Sequence, residues 1–555
     1  TRVRVDNPFA GIEALVVDDM ATQQTTLRSQ LHMVGIEHVD AASSAEEALR
    51  QIRNKRFQLI LCDYNLNSKT DGQQLFEYLR DHKILAPDCL FFMITAESHY
   101  AAVASASEQV PDAYLLKPIT AGDIEERLKT QLEKRQALLP ITKAIAKEDP
   151  NAALAAAEEL LARKDRWYMQ ALQYKGQLQL QLGMVDEAKL SYQQALQLRP
   201  GLLWAQIGLM RAHKAAGAFE ACRNLAQEVL ASREGAKCLA AHDLLAEALE
   251  GLGDTAAALE VMKQAAQAVP STRRQRLMAE TAYRSGDLGA AKQAYARAYK
   301  GSQGSLMGQP QDALALAQSL VELGESQEAL TLLTEAHARG TRGAAFDQVA
   351  LAIKAQALAA AGEPERAKAA AQQALDMQAG AGSKGDFATL ALARAALATG
   401  QNERGLELMR QALCADHENK RMQQLVARAL QDHGQGEEAE ALIASATQSL
   451  KTRLFEAKRL LRSGKLDEAL EAIEAELREY PENTTVLLEC AQMNCMWLRL
   501  NKSLDAIRLD RVRDYLARLE TLLPGHERVA QMRRYLRETL AALQRDGNFS
   551  ISREK

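Results

Sequence analysis

Short apolar runs alternate with amphipathic stretches from the start of the chain to Pro140, after which the periodicity changes. The runs IEALVV (12–17), EHVDA (37–41), FQLILC (57–62), CLFFMI (89–94) and AYLL (113–116) have the length and composition of strands. Between them, residues 21–33, 44–54, 72–82, 99–107 and 120–138 carry apolar side chains at helical spacing. Ser44 followed by Glu47 fits a capping box, because hydroxyl and carboxylate can each satisfy a free amide at the start of the second helix. Five strands alternating with five helices predict an α/β domain with a doubly wound, five-stranded parallel sheet. A ligand site in such a sheet lies beyond the C-terminal ends of its strands.

That rule gathers one set of polar residues at a single edge. Asp18 and Asp19 follow the first strand, Asp63 the third, Thr95 the fourth and Lys117 the fifth. Three carboxylates held together repel without a counter-charge, and hard oxygen ligands of this kind suit Mg2+. With that ion bound, Asp63 can act as nucleophile toward a phosphoryl group while Lys117 offsets charge on its oxygens and the Thr95 hydroxyl bonds to the acyl phosphate. Taken singly, an Asp pair at a strand end is more often solvated, and Tyr114 more often an edge-strand core residue. His32, His38, His82 and His99 lack paired ligand spacing, and Ser98 and Ser105 have no base arrangement for a serine nucleophile.

The motifs VVDD (16–19), LILCDYN (59–65), DG (71–72), ITAE (94–97) and YLLKP (114–118) agree in order and spacing. Over residues 12–135 the chain therefore resembles the CheY-like receiver domain of two-component response regulators, a flavodoxin-like fold. The resemblance implies that Asp63 is the phospho-acceptor, Asp19 a direct metal ligand, Asp18 its partner through water, and the backbone carbonyl of Asn65 a further ligand. It also implies a switch pair, Thr95 and Tyr114, a Lys117 that pairs with the phosphoryl group, and a commonly cis bond to Pro118. Intrinsic autophosphatase activity belongs to the same expectation. The pattern departs from the family at Asn67, where a proline is usual, and in a loop, NLNSKTDG, one residue longer than common. Both departures bear on the rates of phosphorylation and hydrolysis.

Beyond Pro140, Ala, Leu, Gln and Glu dominate and strand signals vanish. The unit RWYMQALQYKGQLQLQLGMVDEAKLSYQQALQLRP (166–200) places Gly176 where one helix meets its neighbour, Gly183 at a helix end, Ala188 and Tyr192 in the second helix, and Pro200 as its close. Its arrangement is similar to the tetratricopeptide repeat, in which a bulky residue fills the gap between closely approaching helices. Turn signals begin at Gly183, Gly217, Gly253, Gly286, Gly324, Gly362, Gly400, Gly434 and Gly464, at spacings mostly from 33 to 38, with one of 30. A glycine that ends one helix before acidic residues open the next marks a tight antiparallel turn. The resemblance implies an all-α, right-handed superhelix of about ten or eleven hairpins. The Gly/Ser-rich stretches 300–311 and 377–387 are expected as longer loops, and Trp167, Trp204 and Trp497 as packing residues.

The chain is thus expected to be multidomain: an extension (1–11), the receiver (12–135), a helical connector (136–150), the solenoid (151–545) and a tail (546–555). The last receiver helix is expected to run almost unbroken to Pro140 before another begins. With 68 Lys and Arg against 72 Asp and Glu, the formal charge of -4 gives no argument for nucleic acid as a bulk electrostatic partner, and DNA is not expected. No apolar run long enough for a membrane span is visible, and TRVRVDNPFAG has no signal-peptide core. Seven scattered cysteines, none in CxxC spacing, read as a reduced cytoplasmic chain.

The function these readings support is a response regulator phosphorylated by a sensor histidine kinase or phosphotransfer protein. Its output would be an unidentified protein or peptide held by the repeats, since no output enzyme signature follows Pro140. Two other readings are a constitutive scaffold, with the receiver as docking or homodimerisation module, and a phosphorelay intermediate.

Overall fold

The computed structural model describes residues 9, 11–67, 69–82, 84–86, 88–96, 111–147, 149–232, 235–236, 238–268, 271–303, 308–338, 343–381, 386–415, 420–522 and 527–545. The elements of the N-terminal domain run in the order β1 (Glu13–Val17), α1 (Ala21–Val34), β2 (His38–Ala42), α2 (Ala45–Asn54), β3 (Leu59–Asp63), α3 (Gly72–Asp81), β4 (Leu90–Thr95), β5 (Ala113–Leu116) and α4 (Ala121–Ala146). The helix expected at 99–107 lies outside the described residues, as do Ser98, His99 and Ser105. All strand pairs are parallel, in the order β2-β1-β3-β4-β5.

Alternation along the strands explains why helices cover both faces. Leu15, Val17, Ile60, Cys62, Phe91 and Met93 share a core with Ala45, Ala48 and Leu49 of α2 and Leu75, Phe76 and Leu79 of α3. Their neighbours Ala14, Val16, Leu59, Leu61, Phe92 and Ile94 point the other way, onto Leu27 and Leu31 of α1 and Ile124 and Leu128 of α4. Side chains on a strand alternate faces, so strands apolar at every position need cover on both.

Helix ends follow local chemistry, with one departure from expectation. Ser44 accepts from the Glu47 amide at 3.2 Å, but the Glu47 carboxylate reaches one residue further back, to the Ser43 amide at 2.8 Å and its hydroxyl at 2.7 Å. A second serine hydroxyl there draws the carboxylate away from the reciprocal box. Complete boxes form instead at Asp71–Gln74 and Thr120–Asp123.

The last helix of the sheet domain does not stop at Pro140. It continues through that residue to Ala146. Proline removes one helical hydrogen bond, yet Leu138 and Ile141 on either side are buried with Ala153, Ala157, Leu160, Ala171 and Leu178, and this packing holds the helix together. Tertiary burial outweighs a local breaker.

Twenty-one helices follow between Pro150 and Arg545 among the described residues. The nine expected turn glycines all adopt φ between +71° and +90°, the left-handed conformation that glycine enters without a Cβ clash. Between Gly434 and Gly464 the spacing is 30 because a single helix, Gly436–Arg462, takes the place of two. In the clearest repeat the Tyr192 ring lies against Gly176, where an added Cβ would sit 2.7 Å from it, and it packs still closer on Gly208. The helix Pro364–Ala381 absorbs the first residues of the second Gly/Ser-rich stretch, and residues 382–385 lie outside the described set.

The chain divides into two compact units, one of Thr1–Gln179, Val185–Ser285 and Gln293–Asp312, the other of Leu180–Met184, Gly286–Lys292 and Ala313–Lys555. In the first, successive hairpins are tied by ion pairs: Lys214–Glu247 at 2.7 Å, Arg284–Glu250 at 2.7 Å and a two-pronged Arg276–Asp312 at 2.6 and 2.7 Å. In the second, Gln318 and Gln356 exchange amide hydrogen bonds, Arg394 pairs with Glu322, and an apolar core joins Leu450 to Leu536. Trp204 packs edge-on to Tyr192 at 6.3 Å, and Trp167 and Trp497 border apolar clusters. All seven cysteines are buried and unbridged, and no helix among the described residues is long and apolar enough to cross a membrane.

Candidate functional site

The parallel register decides which side chains meet. Val17 pairs with Cys62 and Asp63 with Ile94, so Asp18 and Asp63 emerge side by side at one sheet edge. Thr95 pairs with Leu116, and the Lys117 amide donates to the Thr95 carbonyl at 2.9 Å, which brings Lys117 to the same edge. One oxygen from each of Asp18, Asp19 and Asp63 lies within 4.8 Å of the others. The Lys117 ammonium donates to Asp63 Oδ2 at 2.9 Å and stands 3.8 Å from Asp18 Oδ2. The Lys117–Pro118 bond is cis.

Asp18 is buried, and its environment is lopsided. Its Oδ1 accepts from the Met20 amide at 2.9 Å, while its Oδ2, also buried, accepts no hydrogen bond among the described residues. Burial raises its pKa above the usual carboxylate value; the Met20 amide opposes this, the charges of Asp63 and Asp19 add to it, and Lys117 reduces it. A buried oxygen without a donor, facing two more carboxylates, is an arrangement that a divalent cation relieves. The donor set is all oxygen, which fits a hard ion of the Mg2+ type.

Backbone packing holds Asp63 in place. Gly72, the first residue of α3, passes so close to the Asp63 peptide that a Cβ would lie 3.0 Å from its carbonyl carbon and nearer still to the oxygen. The Tyr64 amide donates to the Ile94 carbonyl at 2.8 Å and the Gly72 amide to the Tyr64 carbonyl at 2.9 Å. The long loop between them turns through Asn67 at φ +46°. The proline ring locks φ at a negative value and cannot take that conformation, whereas Asn does so readily.

The Thr95 side chain is buried, and Tyr114 is half-buried against the α2/α3 face of the core. The Tyr114 hydroxyl is enclosed without a hydrogen-bond partner among the described residues, and burial, with smaller contributions from Tyr64 and Glu77, raises its pKa. A residue that the sequence did not bring out is Gln24, whose carboxamide donates to the Asp18 carbonyl at 2.7 Å and the Ala42 carbonyl at 3.3 Å. No motif marks it, because its partners are backbone atoms from two strands.

The model of the response regulator receiver domain matches residues 14–129. Residues 14–129 are a receiver domain. A tetratricopeptide repeat model matches residues 170–201, so the receiver is followed by at least one such repeat. The chain is similar to the transcriptional regulatory protein ZraR of Salmonella typhimurium, 33% identical over 121 residues, and of Escherichia coli O157:H7, 31% identical over 121 residues. Each match covers 22% of this chain and 26% of the relative, so the chain spans about a quarter of the length of these curated relatives. Among solved structures, a thermophilic TPR protein of Thermus thermophilus aligns at 20% identity and TM-score 0.28, over 34% of this chain and 98% of that one. A Rap protein complexed with competence and sporulation factor aligns at 14% identity and TM-score 0.29, over 68% and 98%. The receiver's Asp trio is consistent with a phospho-acceptor site able to hold a divalent metal.

Proposed function

We propose that the chain is a two-component response regulator that accepts a phosphoryl group on Asp63 and uses it to control protein contacts made by its helical repeats. The observation that carries the chemistry is the Lys117 ammonium 2.9 Å from Asp63 Oδ2, beside carboxylates gathered within 4.8 Å. An Asp63 oxygen attacks the phosphorus of a phosphohistidine on a kinase or phosphotransfer protein; the new P–O bond forms as the P–N bond breaks, and the imidazole leaves with the electron pair. Asp18, Asp19, Asp63 and the Asn65 carbonyl would hold Mg2+, which supplies the positive charge that lets an anionic phosphoryl group approach three carboxylates. Lys117 then pairs with the phosphoryl oxygens, and the Thr95 hydroxyl donates to one of them. That movement of Thr95 changes the space open to Tyr114. Attack of water on the phosphorus breaks the bond to Asp63, releases inorganic phosphate and restores the Asp63 carboxylate.

Control of the repeats is supported by α4. One helix buries Ile124 and Leu128 in the receiver core and Leu138 and Ile141 in the core of the first repeat helices. Gln131 donates to the Asp112 carbonyl at 2.7 Å and Arg135 to the Asp88 carbonyl, so the helix is fastened to the segments leading into β5 and β4. A shift in the receiver that favours one position of α4 shifts the repeats packed on it, and a partner that distinguishes the two arrangements reads the change. The test compares untreated protein, protein with Mg2+ and beryllofluoride, and Asp63→Asn under the same treatment, by X-ray scattering and by partners retained from lysate. A change confined to treated wild type supports the proposal. Identical profiles at demonstrated beryllofluoride occupancy refute control and leave a constitutive scaffold.

A further inference from the structure

We propose that Gln24 is a positioning residue for the metal-binding carboxylates, an inference that rests on the reading of Asp18, Asp19 and Asp63 as a divalent-cation site. Asp18 is fixed at three points. Its amide donates to the Ala42 carbonyl at 3.1 Å, its carbonyl accepts from Gln24 Nε2 at 2.7 Å, and its Oδ1 accepts from the Met20 amide at 2.9 Å. Among the described residues only Oδ2 is left without a donor, buried and near Asp63 and Lys117.

Gln24 is the one side chain among these three ties. Its two amide hydrogens serve two carbonyls, those of Asp18 and Ala42, and so join the end of β1 to the end of β2 from the first turns of α1. The orientation of the carboxamide follows from its partners, since Oε1 in the same place would face two acceptors. Removing the amide leaves the Asp18 peptide able to rotate, and Oδ2 and the neighbouring Asp19 carboxylate rotate with it. Partners that orient metal ligands without touching the metal typically change affinity by about 10- to 100-fold.

The experiment measures Mn2+ binding, by the electron paramagnetic resonance of free Mn2+, in wild type, Gln24→Met, Gln24→Asn and Asp18→Asn, with thermal melts alongside. Methionine keeps the volume and removes both donors; asparagine keeps the carboxamide on a stem too short to reach both carbonyls. The expected result is Mn2+ affinity about 10-fold or more weaker in both Gln24 variants, with melting temperatures within a few degrees of wild type. In phosphorylation by a small-molecule donor, the Mg2+ concentration for half-maximal rate rises by a similar factor while the rate at saturating Mg2+ stays within about two-fold. Wild-type Mn2+ affinity in both Gln24 variants, with weakened binding in Asp18→Asn, overturns the positioning role and leaves the metal site intact. Absence of Mn2+ binding in wild type overturns the metal-site reading itself, and this proposal with it.

Discussion

Gly72→Ala tests whether the approach of α3 to the Asp63 peptide sets the position of the proposed phospho-acceptor. The added Cβ would sit 3.0 Å from both the Asp63 carbonyl carbon and Cys62 Sγ, and closer to the carbonyl oxygen. Carbon atoms in contact normally lie about 3.5 to 4.0 Å apart, so either β3 or the start of α3 must retreat by roughly half an ångström or more. The obstacle is backbone, so no rotamer change relieves it. Overpacking of this kind costs about 1 to 3 kcal/mol, and a reacting group misplaced by about 1 Å loses on the order of 100-fold in rate. The expected outcome is a folded protein, with a urea midpoint lowered in proportion, whose phosphorylation by acetyl phosphate at saturating Mg2+ is slowed by about 10- to 100-fold. Gly122→Ala is the control, because among the described residues a Cβ there meets only the Thr120 hydroxyl at 3.7 Å. Phosphorylation and stability of Gly72→Ala both equal to wild type would refute the claim that this contact places Asp63.

Other expectations follow from the same structure. Asn67→Pro demands a negative φ where the chain has +46°, so it should destabilise the receiver by more than about 1 kcal/mol; a thermal melt at or above wild type would contradict the account of the long loop. Arg276→Ala leaves Asp312, whose side chain is 1% exposed, without its two-pronged partner, and should cost about 3 to 5 kcal/mol; a urea-unfolding loss below about 1 kcal/mol would show that the pair is not needed once water enters. Burial holds Cys222 up to about 11 and Cys89 and Cys495 up to about 12, against an ordinary 9.0. The unfolded chain loses these protons first, so their contribution is whole below about pH 9 and is lost as pH rises through 11 to 12. Urea midpoints at about pH 8 and about pH 10.5 should fall in that order, and an equal or higher midpoint at the more alkaline pH counts against it.

Much of this architecture is legible in the residues because its determinants are local. Strands such as LILCD are apolar on both faces, so they require helices on both sides, and that requirement alone implies the doubly wound sheet. The nine turn glycines are equally legible, since a left-handed helix end is a property of one residue and its neighbours. Strand ends sharing one edge bring Asp18, Asp63, Thr95 and Lys117 together by topology.

What only the tertiary structure decided depends on atoms distant in sequence. Pro140 reads as a helix boundary, but the burial of Leu138 and Ile141 in the repeat core carries the helix through it. The repeat spacing of 30 is an irregularity on paper and a fused helix, Gly436–Arg462, in space. Glu47 passes over the expected amide for Ser43, whose hydroxyl offers a second bond. Gln24 carries no pattern because it binds two carbonyls that only sheet pairing places side by side. Periodicity and turn chemistry are written one residue at a time, whereas which oxygen stays without a donor, and which peptide is held still, depends on long-range packing.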